Sequence, residues 1–573
     1  MNTKKKFSKS SRPSNSKPSS LEKTGSYGRA SKLKSASTKT PYGENWPARH
    51  VKNSKPGESK TAHGERPDKT RWRTRPAKVD DFNPPFRDKF SKTEKSSSSE
   101  RTARRDKVSF YAPKTFKGAQ SKDEEAQLAE GTVQRIALEI LNAFEETHDR
   151  IDYLLQQGIH QNVKLLEARE KGNLSKTVLN IIRWKLKIDY IISKSLKRDA
   201  DSLETTLKSA YRLATFNVVW MNKSAEKSIS LSDFSIPREF GKHKETVRDY
   251  IKFLNKAKKE IPYPNPTKNL VNALSITYSH PAWLIEKWLG LYGKEAVVKL
   301  CEFNNTEPAL TLRVNTLKAS IKETMAHLER EGFQAVSCRY AEHGVNVSGR
   351  GEIFSSPFFK DGMFEIQDET SQLFAAWCNP QPNHTIIDAC AGSGGKSLYF
   401  SAVMNNKGKI LASDPNSRSL EKLRKRSTRA GSTNIEICGL HLPEIAEYWE
   451  GKANKVIIDA PCSGLGVLAR NPDIKWRFDP ESFSALAADQ LTILNYFAQF
   501  VKDGGELIYG TCTLNPDENE NVIRHFLATD TRFRIADDSS EKFKPFIDDQ
   551  GFFYIKPFEH NLSGFFGCKL IRK

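Results

Sequence analysis

The 573-residue sequence contains no Cys-x-x-Cys pair, and none of its eight cysteines, at 301, 338, 378, 390, 438, 462, 512 and 568, has a histidine partner at zinc-ligand spacing. No metal site is expected. The chain also lacks any apolar run of the roughly 18 residues needed to span a membrane, and its N-terminus has no apolar leader stretch. A reducing, cytoplasmic setting follows, in which free thiols persist as thiolate nucleophiles. No internal repeat is visible, which excludes a solenoid.

Charge is unevenly spread. Residues 1–120 hold 31 Lys and Arg against 11 Asp and Glu, so this segment carries a surplus of 20 out of the net +22, and the rest of the chain is almost neutral. The segment has no sustained apolar periodicity and is rich in Ser, Pro and Gly, so burial cannot offset the entropy of ordering it. It is expected to be a disordered basic tail over 1–125. Its isolated aromatics, Tyr27, Trp46, Trp72 and Phe86, sit among cations, a composition equally compatible with nucleic-acid binding and with a solvated tail.

Helical periodicity begins near residue 128. Val133, Ile136, Ala137, Ile140, Leu141 and Phe144 recur at three- and four-residue steps, and similar patterns run on to Trp220, predicting an all-helical domain over 126–270. His280 to Leu289 reads as a helix leading out of that bundle. Within 271–366, strand-like Leu310–Val314 and Val345–Val347 flank a helical run near Ile321–Leu328, which predicts a small α+β module. From 367 to 573 strands alternate with helices, the pattern of a Rossmann-like, doubly wound parallel sheet.

Ligands of such sheets lie at the carboxyl ends of the strands. The strand ending at Asp388 runs into Ala389-Cys390-Ala391-Gly392-Ser393-Gly394-Gly395-Lys396, a glycine loop before a helix. The spacing is wrong for an NTP-binding P-loop, because Cys390 stands where its first glycine belongs. Asp414, ending the next strand 26 residues after Asp388, suits ribose hydroxyls or a helix cap. Two further strands deliver Asp459 with Cys462, and Cys512, to the same edge. A buried cysteine is usually a small hydrophobe, but two thiols and a carboxylate in loops at one ligand-binding edge point to nucleophilic chemistry. The polar run 515–520 reads as the start of the next helix, and Arg470, Lys475 and Arg477 as contacts for phosphates.

Taken in order, DACAGSGGK (388–396), DAPCSGLG (459–466), NPDIKW (471–476) and YGTCTLNPDENENVI (509–523) resemble the motifs of the Sun/RsmB-type RNA cytosine-C5 methyltransferases, and specifically the bacterial small-subunit ribosomal RNA methyltransferase B-like members. ALTLRVNT (309–316) and FEIQDETSQL (364–373) resemble that family's small module, and AREKGNLSK (168–176) with IIRWKLKIDYII (181–192) its NusB-like RNA-binding domain. The resemblance implies Cys512 as nucleophile on cytosine carbon 6, Cys462 as the residue aiding release after methyl transfer, and Asp459 as the partner of the cytosine N3 and amino edge. DNA cytosine methyltransferases use the Pro-Cys thiol instead, and the Thr-Cys of the last motif favours the RNA assignment. It further implies S-adenosyl-L-methionine on Cys390 to Lys396, with Asp414 on the ribose and Asp459 near the methionine end. The expected partner is structured RNA, most readily small-subunit ribosomal RNA, acted on by a monomer. Transfer RNA as substrate, or a non-catalytic assembly factor, are the alternatives. The chain departs from the family pattern at Gly392-Ser393, usually Ala-Pro, at Cys438-Gly439, where the adenine-reading Asp is missing, and at Ser563, usually an acid.

Overall fold

The computed structural model describes residues 122–349, 352–537 and 540–573, so the basic segment at 1–121 lies outside the described residues. Helix α1 (Lys122–Thr147) is the spine of the helical domain. Its periodic side chains, Val133 to Phe144, are all at most 4% exposed. They pack on α3 (Ala168–Arg183), α5 (Thr205–Thr215) and α6 (Ala225–Ser235), while α2 (Ile151–Gln161), α4 (Lys185–Leu196) and α7 (Lys242–Ala257) complete the bundle. One buried charge cluster pins three helices. Arg212 of α5, wholly buried, donates to Asp189 of α4 at 2.7 and 2.8 Å and pairs with Glu145 of α1 at 2.9 Å. Burial alone would raise the Glu145 carboxyl, but Arg212, Lys185 and Lys208 outweigh it and bring it to about 2.

The next two helices, α8 (Leu270–Tyr278) and α9 (Ala282–Asn304, bent at Gly293), follow the bundle in the chain. Leu284, Ile285 and Trp288 share one core with the sheet residues Ile387, Val456 and Leu507, so α9 is a wall of the catalytic domain. The small module is a four-stranded antiparallel sheet in the order β2-β3-β1-β4, from β1 (Leu310–Val314), β2 (Gln334–Ser337), β3 (Gly344–Ser348) and β4 (Phe364–Ile366). Helix α10 (Ile321–Arg330), opened by a Ser320/Glu323 capping box, joins β1 to β2.

The large sheet has the order β10-β12-β9-β8-β5-β6-β7. Its parallel part comprises β5 (Thr385–Asp388), β6 (Lys409–Ala412), β7 (Ile435–Ile437), β8 (Ala453–Asp459) and β9 (Val501–Thr511). Strands β10 (Phe533–Ile535), β11 (Phe553–Ile555) and β12 (Phe565–Arg572) add an antiparallel wing, a direction that hydrophobic pattern alone does not encode. Helices α11 (Glu369–Trp377), α12 (Gly395–Val403), α13 (Ser417–Ala430), α14 (Pro443–Trp449), α15 (Ser482–Ala498) and α16 (Glu520–Thr529) flank the sheet, and separate apolar clusters form around Leu494–Phe526 and around Phe374–Tyr399. Chain order reverses between β5 and β8, which puts the ligand crevice at the carboxyl ends of these two strands. Among the described residues no helix is long and apolar enough to cross a membrane.

Candidate active site

The loop after β5 is held from three sides. Gly392 (φ +52°) and Gly394 (φ +87°) adopt left-handed backbone, and a Cβ on Gly394 would lie 1.9 Å from Leu423 Cδ1, so a side chain there would be strained and would displace Leu423. Asp414 accepts hydrogen bonds from the Gly392 and Asn416 backbone N–H groups, each at 2.8 Å. Asn416, not Asp414, caps α13. Arg426 of α13 donates to the Ser393 carbonyl and hydroxyl at 2.8 and 2.9 Å. From the small module, Arg313 donates to the Gly395 carbonyl at 2.6 Å, and burial lowers this guanidinium to about 10. Ser393, which departs from the family pattern, is thus tied down by a side-chain bond that proline could not make.

Below the loop Asp388 is fully buried. Its Oδ2 accepts from the Ser397 hydroxyl at 2.6 Å, its Oδ1 has no partner, and burial raises the carboxyl to about 6. Burial, with Asp414, Asp388 and Asp459 adding to it, pushes the Cys390 thiol well above its ordinary range. The Lys396 ammonium is paired with Asp459. Burial would lower Lys396, but Asp459, Asp388 and Cys512 outweigh it and hold the ammonium form.

Asp459 ends β8, Pro461 stiffens the following turn, and Cys462 comes next; Cys512 follows β9 directly. The two sulfurs are 3.4 Å apart, a thiol hydrogen bond between free cysteines. That bond, then burial, then the nearby Cys512, Glu518 and Asp459 charges, push the Cys462 thiol well above its ordinary range.

Sequence reasoning missed the residue that sets this spacing. The run 515–520 does lead into the next helix, in two steps: Pro516–Glu518 is a single 3-10 turn, and α16 begins at Glu520. The turn points Glu518 inward, where its carboxylate accepts from Ser463 N (2.8 Å), Ser463 Oγ (2.5 Å), Gln490 Nε2 (3.1 Å) and Asn515 Nδ2 (3.1 Å). Ser463 Oγ also bonds Thr513 Oγ1 at 2.8 Å. The neighbours of both cysteines are thus locked together. A second tie runs through backbone: Gly466 N donates to the Cys512 carbonyl at 3.0 Å, and a Cβ on Gly466 would meet Gly564 O at 2.4 Å. The only available signal was that a run of polar residues following a buried strand need not be solvated.

The three cations expected on phosphates fare differently. Lys475 cannot reach one: it is 1% exposed, and its ammonium donates to Arg183 O, Ser279 O and Asn305 Oδ1 at 3.0–3.1 Å. Burial, opposed by too little negative charge, lowers it well below the usual lysine range. With Trp476 Nε1 on Ile182 O (2.9 Å) and Arg183 Nη2 on Ala469 O (2.8 Å), the NPDIKW segment docks the helical domain on the catalytic one. Arg470 is paired with Asp368, which also accepts from Ser563, and Arg477 with Asp473. Cys438 and Gly439 follow β7 at the crevice edge, with Cys438 buried. Among the described residues no group of three or more His, Cys, Asp or Glu converges to hold a metal ion.

Comparison with known proteins agrees with this layout. Residues 131–245 match the NusB family, 280–353 the ferredoxin-like domain of RsmF/B-like methyltransferases, and 375–571 the 16S rRNA methyltransferase RsmB/F family. The chain is 31% identical over 448 residues to the probable ribosomal RNA small subunit methyltransferase B of Bacillus subtilis (strain 168), covering 77% of this chain and 99% of that one. It is 34% identical over 322 residues to the protein of the same name from Synechocystis, covering 53% and 70%. The crystal structure of PH0851 superposes with a TM-score of 0.65 at 26% identity, covering 77% of this chain and 99% of that one.

Proposed function

Since the chain belongs to the RsmB/F family of 16S ribosomal RNA methyltransferases, we propose that it forms 5-methylcytosine in small-subunit ribosomal RNA, in the cytoplasm where that RNA is assembled, through a covalent adduct between Cys512 and cytosine carbon 6. The observation that carries this reading is the pair of free thiols 3.4 Å apart beside the Lys396–Asp459 pair at the switch point of the sheet.

Carbon 5 of cytosine is a poor nucleophile. Addition of the Cys512 thiolate to carbon 6 forms the S–C bond and moves the C5–C6 π pair onto carbon 5, which can then attack an electrophilic methyl. The Lys396 ammonium lies close enough to Cys512 to interact with its charge, and the Cys462 sulfur is in hydrogen-bond contact with the nucleophile. Asp459, anchored through one oxygen by Lys396, keeps the other for the N3 and amino edge of the base. After methylation a water held beside Cys462 takes the carbon 5 proton, the C5–H electron pair forms the C5–C6 double bond, and Cys512 departs as a thiolate with the C6–S pair. A cytosine inside a duplex cannot reach Cys512, so the substrate base is unpaired or flipped out.

The residues of the glycine loop fit S-adenosyl-L-methionine. Asp388 Oδ1 lacks a partner, nothing stands within 4 Å of a Cβ placed on Gly392, and three acids surround a loop of small residues. When bound, this cofactor supplies the electrophilic methyl. Cys390 to Lys396 would hold it, Asp414 would take the ribose while keeping Gly392 in place, Asp459 would lie towards the methionine end, and backbone at Cys438–Gly439 would serve the adenine.

The test is methylation of 16S ribosomal RNA from a strain lacking the gene, using tritium-labelled cofactor, followed by bisulfite sequencing. One protected cytosine in the small-subunit RNA is expected. Protection confined to transfer RNA, or label recovered at a position other than carbon 5, would refute the proposal.

A further inference from the structure

The helical domain carries a row of rings and ammonium groups that the catalytic site does not use. Along it, Lys194 Nζ lies 5.3 Å from the Tyr190 ring, Tyr190 stacks on Tyr263 at 6.0 Å and 22°, Lys187 Nζ lies 5.0 Å from Tyr263 and 5.3 Å from Trp184, and Trp184 meets Trp220 at 5.8 Å. These residues come from the turn between α3 and α4, from α4 itself, from the turn after α5 and from the loop after α7.

Core packing accounts for only part of the row: Trp184 and Trp220 rest against the core of the helical domain, whereas Tyr190 and Tyr263 do not belong to it. Tyr263 is 45% exposed, Lys194 is exposed, and the other four are only partly covered. Lys187 is half-buried, and burial lowers its ammonium, yet neither Lys187 nor Lys194 is ion-paired with any described carboxylate. Lys185 of the same helix, by contrast, has Glu145 and Asp189 within 3.8 Å. The neighbourhood is cationic: residues 183–198 hold six Lys or Arg and one Asp, and residues 252–268 five Lys and one Glu. The platform is also preorganised. Tyr190 OH donates to Pro262 O at 2.6 Å, and Pro262 and Pro264 on either side of Tyr263 restrict the loop backbone. Its near end faces the catalytic domain, where Lys185 sits 5.3 Å over the Trp476 ring in the segment that docks the two domains.

We propose that this row is a stacking platform for an unpaired segment of the RNA substrate, its bases resting on Tyr263, Tyr190, Trp184 and Trp220 and its phosphates neutralised by Lys187 and Lys194. Alternating rings and unpaired cations suit a single strand, which offers base faces and phosphates together, whereas a duplex presents only phosphates. The proposal rests on the reading that RNA is the substrate.

The experiment measures binding of the full chain to a fluorescein-labelled 12-nucleotide oligouridine and to an RNA duplex of equal length. For Tyr263→Leu/Lys187→Gln, affinity for the single strand is expected to fall about tenfold or more. Its salt slope should drop by about 0.7, the share of one phosphate contact, with duplex binding little changed. Ultraviolet crosslinking of 5-iodouridine RNA to the unaltered protein, which does not depend on how the variant folds, should label peptides containing Trp184, Tyr190, Trp220 or Tyr263. Unchanged single-strand affinity, equal losses on both RNAs, or crosslinks only elsewhere overturn the platform while wild-type methylation stands. Unchanged RNA affinity with loss of ribosomal-protein retention overturns it in favour of a protein surface. A wild-type chain that neither binds nor methylates RNA overturns the substrate reading itself.

Discussion

Replacing Glu518 with glutamine tests whether the two thiols are positioned by a buried carboxylate. Four donors converge on its oxygens: Ser463 N and Gln490 Nε2 on one, Ser463 Oγ and Asn515 Nδ2 on the other. An amide offers one acceptor and one donor, so either orientation leaves an amide N–H facing another N–H. A buried donor left without a partner costs about 1–3 kcal/mol, and hydrogen bonds to a charged acceptor are worth about 1.5–3 kcal/mol each. A loss near 3 kcal/mol follows, which for a domain of roughly 200 residues lowers Tm by about 6–12 °C. The larger effect falls on rate. Ser463 and Asn515 belong to the loops bearing Cys462 and Cys512, and a displacement of about 1 Å between reacting groups costs about 100-fold. Initial rates of tritium transfer to ribosomal RNA and thermal melts of the same preparation give both numbers. A Glu518→Gln protein with rate and Tm close to wild type would show that the 3.4 Å spacing does not depend on this carboxylate.

Three other perturbations probe separate parts of the molecule. Cys462→Ala should accumulate a denaturant-resistant protein–RNA adduct on gels and Cys512→Ala should form none; an adduct in the Cys512 variant would reverse the two roles. Asp388→Asn should stabilise the cofactor-free protein at pH 8. The folded carboxyl sits near 6 against 3.8 unperturbed, so its burial penalty is absent below about pH 4, appears as pH rises, and reaches about 3 kcal/mol above 6; melts showing an equal gain at pH 4 and pH 8 would contradict this. Lys475→Met strands Arg183 O, Ser279 O and Asn305 Oδ1 in a buried interface, and should separate unfolding of the helical and catalytic domains into two calorimetric transitions; a single transition at the wild-type temperature would show that the clamp contributes nothing.

The parts legible from sequence share a physical property: each is repeated or locally determined. α1 was readable because six apolar residues recur at helical steps, and the glycine loop because a strand, a left-handed turn and a helix must follow in order. β2 was not, since only Ala335 of its four residues points inward and no alternation results. Lys475 was misread for a different reason. Composition assigns a lysine between an isoleucine and a tryptophan, with an arginine two positions on, to the surface, and only tertiary structure brings carbonyls from the ends of α3, α8 and α9 around its ammonium. Glu518 is the same kind of case, a charge whose partners lie up to 55 residues away in sequence. Long-range satisfaction of buried polar groups has no periodicity.

That distinction also separates the groups that stabilise this protein from those that burden it. Arg212, Lys475 and Glu518 are buried with full sets of partners or with opposite charges. Asp388 is buried with one oxygen orphaned, two acids, Asp388 and Asp459, share one ammonium at Lys396, and Asp414 adds its charge to Asp388. Folding gains nothing from such an excess of negative charge in a crevice, and the native state persists in spite of it. A cationic ligand reverses the balance, because the same acids that weaken the empty protein then attract the ligand's positive charge. The electrostatics of the crevice therefore argue for a positively charged cofactor independently of the glycine loop, and the stability gained by Asp388→Asn should be matched by a loss of cofactor affinity.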